Sequence, residues 1–87
     1  MKFIAQVKVM PLKNILDPQG KAVQTGLKSM GYNAVAQVRV GKNIELIIEA
    51  ENAVSAKNQV EEISKSLLAN LIIEEFEIEI HELPAHS

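Results

Sequence analysis

Apolar and polar positions alternate at the start of the chain. Phe3, Ala5, Val7 and Val9 fall on one side and Lys2, Gln6 and Lys8 on the other, broken only by Ile4 and Met10, which is the period of two of a half-buried strand. After Pro11 a short connection reaches Asp17 and Pro18. The first can accept hydrogen bonds from the free N–H groups of a helical turn, and the second has the φ that such a turn begins with. Ala22, Val23, Gly26, Leu27 and Met30 then recur at helical spacing, and Gly31 offers the left-handed stop. Gly26 lies on that apolar stripe, where it costs about 1 kcal/mol of helix propensity, so the helix is expected to approach a sheet closely there. Ala36, Val38 and Val40 alternate with Val35, Gln37 and Arg39, and beyond "GKN" at 41–43 Ile44, Leu46 and Ile48 alternate with Glu45, Ile47 and Glu49. Two strands about a glycine-containing turn predict a hairpin. Asn52 is the next predicted cap, with Ala56, Val60, Ile63 and Leu67 on one face of a helix that fades near Asn70. Finally Ile72, Phe76, Ile78 and Ile80 share a face with Glu74, opposite Glu75, Glu77, Glu79 and His81, and Pro84 ends this last strand.

The order β-α-β-β-α-β predicts an α+β domain of ferredoxin-like form, one antiparallel four-stranded sheet with both helices on a single face. Its first and last strands are then neighbours. Lys2 and Lys8 are expected across from the Glu75, Glu77 and Glu79 row, each pair contributing roughly 0.2 to 1 kcal/mol. The other sheet face carries Ile4, Val35 and Ile47, one from each of three strands, and three aliphatic residues together on a wet face predict self-association there. Residues 1–82 read as a single domain and 83–87 as a flexible C-terminal tail.

At 87 residues the chain suits one small domain that hides only roughly 60% of its unfolded surface. Cysteine is absent, which removes disulfides and thiolate metal sites as supports and leaves oligomerisation as the cheapest one. That absence fits a cytoplasmic protein, and no apolar run approaches the roughly 20 residues of a membrane span. The formal net charge of −2 disfavours binding of nucleic acid by phosphate neutralisation. Phe3, Tyr32 and Phe76, the only aromatic residues, make no base-stacking platform.

Catalytic chemistry is not legible. The glutamates at 74–79 lack the Asp, Asn or glycine loop that would complete a cation cage, and His81 and His86 lack a third ligand or a base. Ser29, Ser55, Ser64 and Ser66 lie on predicted helices without nucleophile-elbow surroundings. "GKNI" lacks the first glycine and the Ser or Thr of a phosphate-binding loop. No catalytic residue, cofactor or metal site is therefore expected. Two stretches ask for a partner instead. Arg39, Gly41 and Lys42 would form a basic hairpin tip suited to an acidic surface. In "LDPQGKAV" Asp17 and Pro18 are explained by helix capping, whereas Gln19 and the helix-disfavouring Gly20 suggest close backbone contact with something else.

"LDPQGKAV" at 16–23, "LKSMGY" at 27–32, "VRVGKNIEL" at 38–46 and "LLAN" at 67–70 closely resemble the PurS family, the small subunits of formylglycinamidine ribonucleotide synthetase. The likeness runs from about Lys2 to Ile80. It implies a part in converting formylglycinamide ribonucleotide to its amidine with ATP and a glutamine-derived nitrogen. In that division of labour a glutaminase subunit releases ammonia and a large synthetase subunit activates the substrate. The small subunit is non-catalytic, bridges the two, assists ammonia transfer and self-associates as a homodimer or homotetramer. Where the family is expected to read "LLANPVIEDYEI", this chain has Leu71, Glu75 and Phe76. The first exchange is expected to loosen the turn into the last strand, and the third removes a hydroxyl. The competing reading is a regulatory domain of the same topology that senses a small molecule. A single-stranded RNA binder of this fold class is weaker, because valine, glutamine and alanine stand where its aromatics would be.

Overall fold

A computed structural model of the chain describes residues 1–84. The elements in order are β1 (Lys2–Pro11), α1 (Pro18–Ser29), β2 (Lys42–Glu49), α2 (Ala53–Ile63) and β3 (Glu74–Glu82), with α2 widening into a π-turn over Ser64–Leu68. The three strands form one antiparallel sheet in the order β2-β1-β3. β1 is central because its alternation gives it a complete apolar face: Phe3, Ala5, Val7 and Val9 are all buried. Ala5 stands between Leu46 and Ile80, and Val7 between Ile44 and Ile78. α2 lies over this face above β3 and β1. Its buried stripe is Ala56, Val60 and Ser64, the i, i+4, i+8 positions of one helical face. Ser64 is fully buried and hydrogen-bonded, its hydroxyl donating to the Val60 carbonyl at 2.7 Å. Fully burying side chains such as Phe3, Val7, Val9 and Val60 stabilises the fold by about 1.5–3 kcal/mol each.

The wide turn sets the path into β3. The Ala69 N–H reaches back to the Ser64 carbonyl at 2.9 Å, the i→i+5 bond of a π-turn. Beyond it Asn70 organises the connection. Its N–H donates to the Glu74 carboxylate at 2.7 Å, its side-chain oxygen accepts from the Ile72 N–H at 3.1 Å, and its carbonyl accepts from the Glu74 N–H at 2.7 Å. These bonds hold the turn without the proline that the resemblance leads one to expect at position 71.

Several expectations are corrected by this arrangement. The sheet has three strands among the described residues, not four: residues 35–40 pair with no strand, and no hairpin forms. The departure is marked at Gly41, where a Cβ would run into the Val9 carbonyl and the Met10 sulfur. The chain crosses the end of β1 at that point instead of folding back beside β2. Only α2 covers the sheet. α1 stands off from it, with Val23 and Met30 exposed and nothing within 4 Å of where a Gly26 side chain would be, so that glycine makes no close approach within the chain. Ile63 and Leu67 also face outward, because Ser64 takes the inward position. Ile72 belongs to the turn and not to β3. Lys8 does stand across from Glu77, but Lys2 is paired with Glu49 of β2. Leu83 still bonds to the sheet, its N–H donating to the Lys2 carbonyl at 2.8 Å. The rest of the expected tail, including His86, lies beyond the described residues apart from Pro84.

The result is long. Its extents are 50 × 30 × 15 Å and its radius of gyration is 16.8 Å, against about 12 Å for a compact chain of this length. A total of 6343 Å² remains accessible, about a quarter above the ~5,100 Å² expected of a folded monomer of this mass.

Candidate functional site

The elongation comes from one unit, an arm made of α1 and the extended residues 35–40 that return along it. The arm is rooted at the end of β1 where Pro11 leaves the sheet. Asp17 caps α1, its Oδ1 accepting from the Gly20 N–H at 3.0 Å while its Oδ2 accepts from the Val40 N–H at 2.9 Å. One carboxylate thus joins the helix start to the returning segment. The two hydrogen bonds, from Gly20 first and Val40 second, hold the carboxyl below its ordinary range, and the charge of Arg39 acts in the same direction. Gly20 is buried, and a Cβ there would meet the Val38 carbonyl. Farther along, the Gln24 amide donates to the Ala36 carbonyl at 2.9 Å. Two residues beyond the end of the helix, Gly31 turns the chain with a φ of 92°, the left-handed value glycine adopts freely.

Arg39 closes the root. Its guanidinium donates to the Pro11 carbonyl and lies 3.8 Å from Glu75 at the start of β3. Beside it a cavity of about 560 Å³ opens, bounded by Lys8, Met10, Arg39, Lys42, Glu75 and Phe76. Its boundary mixes apolar groups with both signs of charge. Among the described residues no three His, Asp or Glu side chains gather as a metal site would require, and no helix is long and apolar enough to cross a membrane.

The residues singled out from sequence divide accordingly. Asp17, Gly20, Arg39 and Gly41 come together at the root, and their contacts are with their own chain. Gln19 and Lys42 are exposed beside them. Ile4 and Ile47 are direct cross-strand partners on the sheet face away from α2, and Ile47 is exposed, whereas Val35 lies off the sheet in the arm. What sequence reasoning missed is the arm itself. The signal for it was present in the glycines at 20 and 41, each required where one backbone crosses another.

The family model described as phosphoribosylformylglycinamidine (FGAM) synthase, PurS, matches residues 4–82. The chain belongs to the PurS family. PurS of Synechocystis is 48% identical over 67 residues, covering 77% of this chain and 67% of that one. The structure of Thermus thermophilus PurS superposes with a TM-score of 0.85 at 39% identity, covering 97% of this chain and all of that one. A chain in the PurLQS structure from Thermotoga maritima gives a TM-score of 0.85 at 31% identity, with 93% and 99% covered. The function is that of the PurS family, a subunit of phosphoribosylformylglycinamidine synthase in purine biosynthesis.

Proposed function

We propose that this PurS-family chain is the non-catalytic bridging subunit of the synthase, joining the glutaminase subunit to the large ATP-dependent synthetase subunit and assisting the passage of ammonia between them in the cytoplasm. The observation that carries this reading is the likeness of nearly the whole chain, in sequence and in fold, to a chain of the PurLQS structure. Its partner-binding residues are proposed to be those of the arm root, with Asp17, Gly20, Arg39 and Gly41 shaping the surface and Gln19 and Lys42 presented on it. The decisive test follows ATP turnover by the large subunit with the glutaminase present, comparing glutamine with free ammonium, with and without this protein. Dependence on the protein with glutamine but not with ammonium is the expected result. Equal dependence on both sources would make it an activator of the large subunit instead, and no dependence on either would favour the small-molecule sensor.

We infer further that the subunit works as a homodimer, or as a homotetramer of such dimers, in which arms are exchanged. α2 covers β1 and β3 and leaves the β2 side of the apolar face, Ile44, Leu46 and Ile48, only half-buried. β2 is also a free edge. The arm of a second copy offers the two missing parts: residues 35–40 as a fourth strand beside β2, and α1 with its Val23, Leu27 and Met30 stripe as the second helix. Gly26 would then give the close approach that nothing in its own chain requires. The surplus accessible surface of roughly 1,200 Å² exceeds the ~800 Å² that each partner gives to a standard interface. This exchange would restore the four-stranded ferredoxin-like sheet across two chains. Ile4 and Ile47, on the opposite face, are proposed to meet in the tetramer, with Val35 contributing through the exchanged strand.

A further inference from the structure

The arm can exchange efficiently only if α1 and residues 35–40 keep one geometry while they are away from the rest of their own fold. The sheet holds the arm only at its root, where Arg39 meets the Pro11 carbonyl and Glu75, and α1 itself stands off from it. The remaining ties lie within the arm. Asp17 spans 23 positions to reach the Val40 N–H while also holding the Gly20 N–H three residues on. The missing side chain of Gly20 leaves the gap that the Val38 carbonyl fills, and the Gln24 amide holds the Ala36 carbonyl one helical turn farther along. A serine in place of Asp17 could still cap the helix but would not bridge both N–H groups. Capping and bridging are therefore separable functions of one side chain.

We infer that Asp17 is the positioning residue of self-association: with Gly20 it clasps residues 38–40 to the start of α1 and so presets the arm in its exchange-ready form before a second copy arrives. This rests on the arm-exchange reading. A preset arm loses less conformational freedom on association, which lowers the dissociation constant without adding any contact between chains.

The test uses the full chain and three variants, Asp17→Ser, Asp17→Asn and Gly20→Ala, with two readouts. Amide hydrogen exchange at Val40 reports the clasp, and sedimentation across a concentration series reports self-association. Asp17→Ser is expected to keep helix content and the protection of Val7 in β1, to raise Val40 exchange at least tenfold, and to weaken self-association at least tenfold. Gly20→Ala, whose added methyl would run into both the Val38 carbonyl and the Asp17 carboxylate, is expected to do the same. Asp17→Asn, with one acceptor oxygen, should fall between these and the wild type. If Asp17→Ser matches the wild type in both readouts, Asp17 is a helix cap only and the inference is overturned. If Val40 exchange rises but the dissociation constant does not move, the clasp exists but does not preset association, which also overturns it. A wild-type chain that stays monomeric at every concentration removes the arm-exchange reading itself, and Val40 exchange then still shows whether the clasp exists.

Discussion

α1 and α2 are nearly the same length, and both begin with a side chain that accepts from the N–H three residues on, Asp17 to Gly20 and Asn52 to Ser55. Both carry an apolar stripe at helical spacing. One packs and the other does not. α2 buries Ala56 and Val60 against the sheet, while α1 leaves Val23 and Met30 in solvent. Local propensity and patterning therefore make each helix, but the helix position is set by the connections. α2 follows β2 through three residues and must fold back over the sheet. α1 leaves the end of β1 through a longer link, and the crossing at Gly41 carries its return strand past the sheet end. The apolar face of α1, with no partner in its own chain, is the face that the proposed arm exchange would cover.

The comparison can be broken first in the packed half. Phe3→Ala should cost about 3–5 kcal/mol of folding stability, seen as a lower denaturant midpoint, because Phe3 is almost wholly buried under the packed face. The paired substitution Val23→Asp with Met30→Asp is expected to leave the protection of β1 and α2 unchanged and to weaken self-association by roughly a hundredfold, each lost apolar contact being worth about 1.5–3 kcal/mol at full burial. Sedimentation decides it: unchanged association would mean that the α1 stripe is a solvated face. Asn52→Ala should destabilise by about 1 kcal/mol through loss of the bond to the Ser55 N–H without altering association. Gly26→Ala separates the two regions most sharply. Within the chain it meets nothing, so it should raise α1 helicity by up to about 1 kcal/mol. Between chains it should obstruct the close approach and weaken association.

These contrasts also show what was legible beforehand. The faces of β1, β2 and β3 could be read because period-two alternation is a local property, and both helix starts because caps are. The register of Lys8 against Glu77 followed from β1 and β3 being neighbours. The failure was the placement of residues 35–40, whose alternation is that of a strand in the chain as written but which pair with no strand of that chain. Reading Gly41 as a turn residue produced the false hairpin. It is a crossing residue, excluded from having a side chain by Val9 and Met10, and composition does not distinguish the two uses. Gly20 does sit in close backbone contact, but with Val38 of its own chain and not with the partner that the sequence suggests. At Ser64 the apolar stripe was misplaced by one position, since a buried serine bonded to Val60 carries no hydrophobic signal.

The smallest expected effect concerns acid. Asp17 at the arm root and Glu79 on the sheet both have carboxyl groups held below their ordinary range, Asp17 by the Gly20 and Val40 N–H groups and Glu79 by the hydrogen bond with His81, the charge of His81 and that of Lys8. A depressed folded value means that the stabilisation is complete above the unfolded value of about 4 and is lost as pH falls through the lower folded value. Neither group should affect stability between pH 6 and 8. They differ in what holds them. Glu79 sits on an exposed face where added salt screens the charges of His81 and Lys8, so its depression should shrink as ionic strength rises. Asp17 is held mainly by backbone donors, with Arg39 acting through charge and Lys13 and Lys21 lining the neighbouring cleft, so most of its depression should survive. Carboxyl titration by NMR at two salt concentrations measures both. If Asp17 responds to salt as strongly as Glu79, the basic side chains rather than the backbone clasp hold the arm root, and the rigidity argued for the arm loses its physical basis.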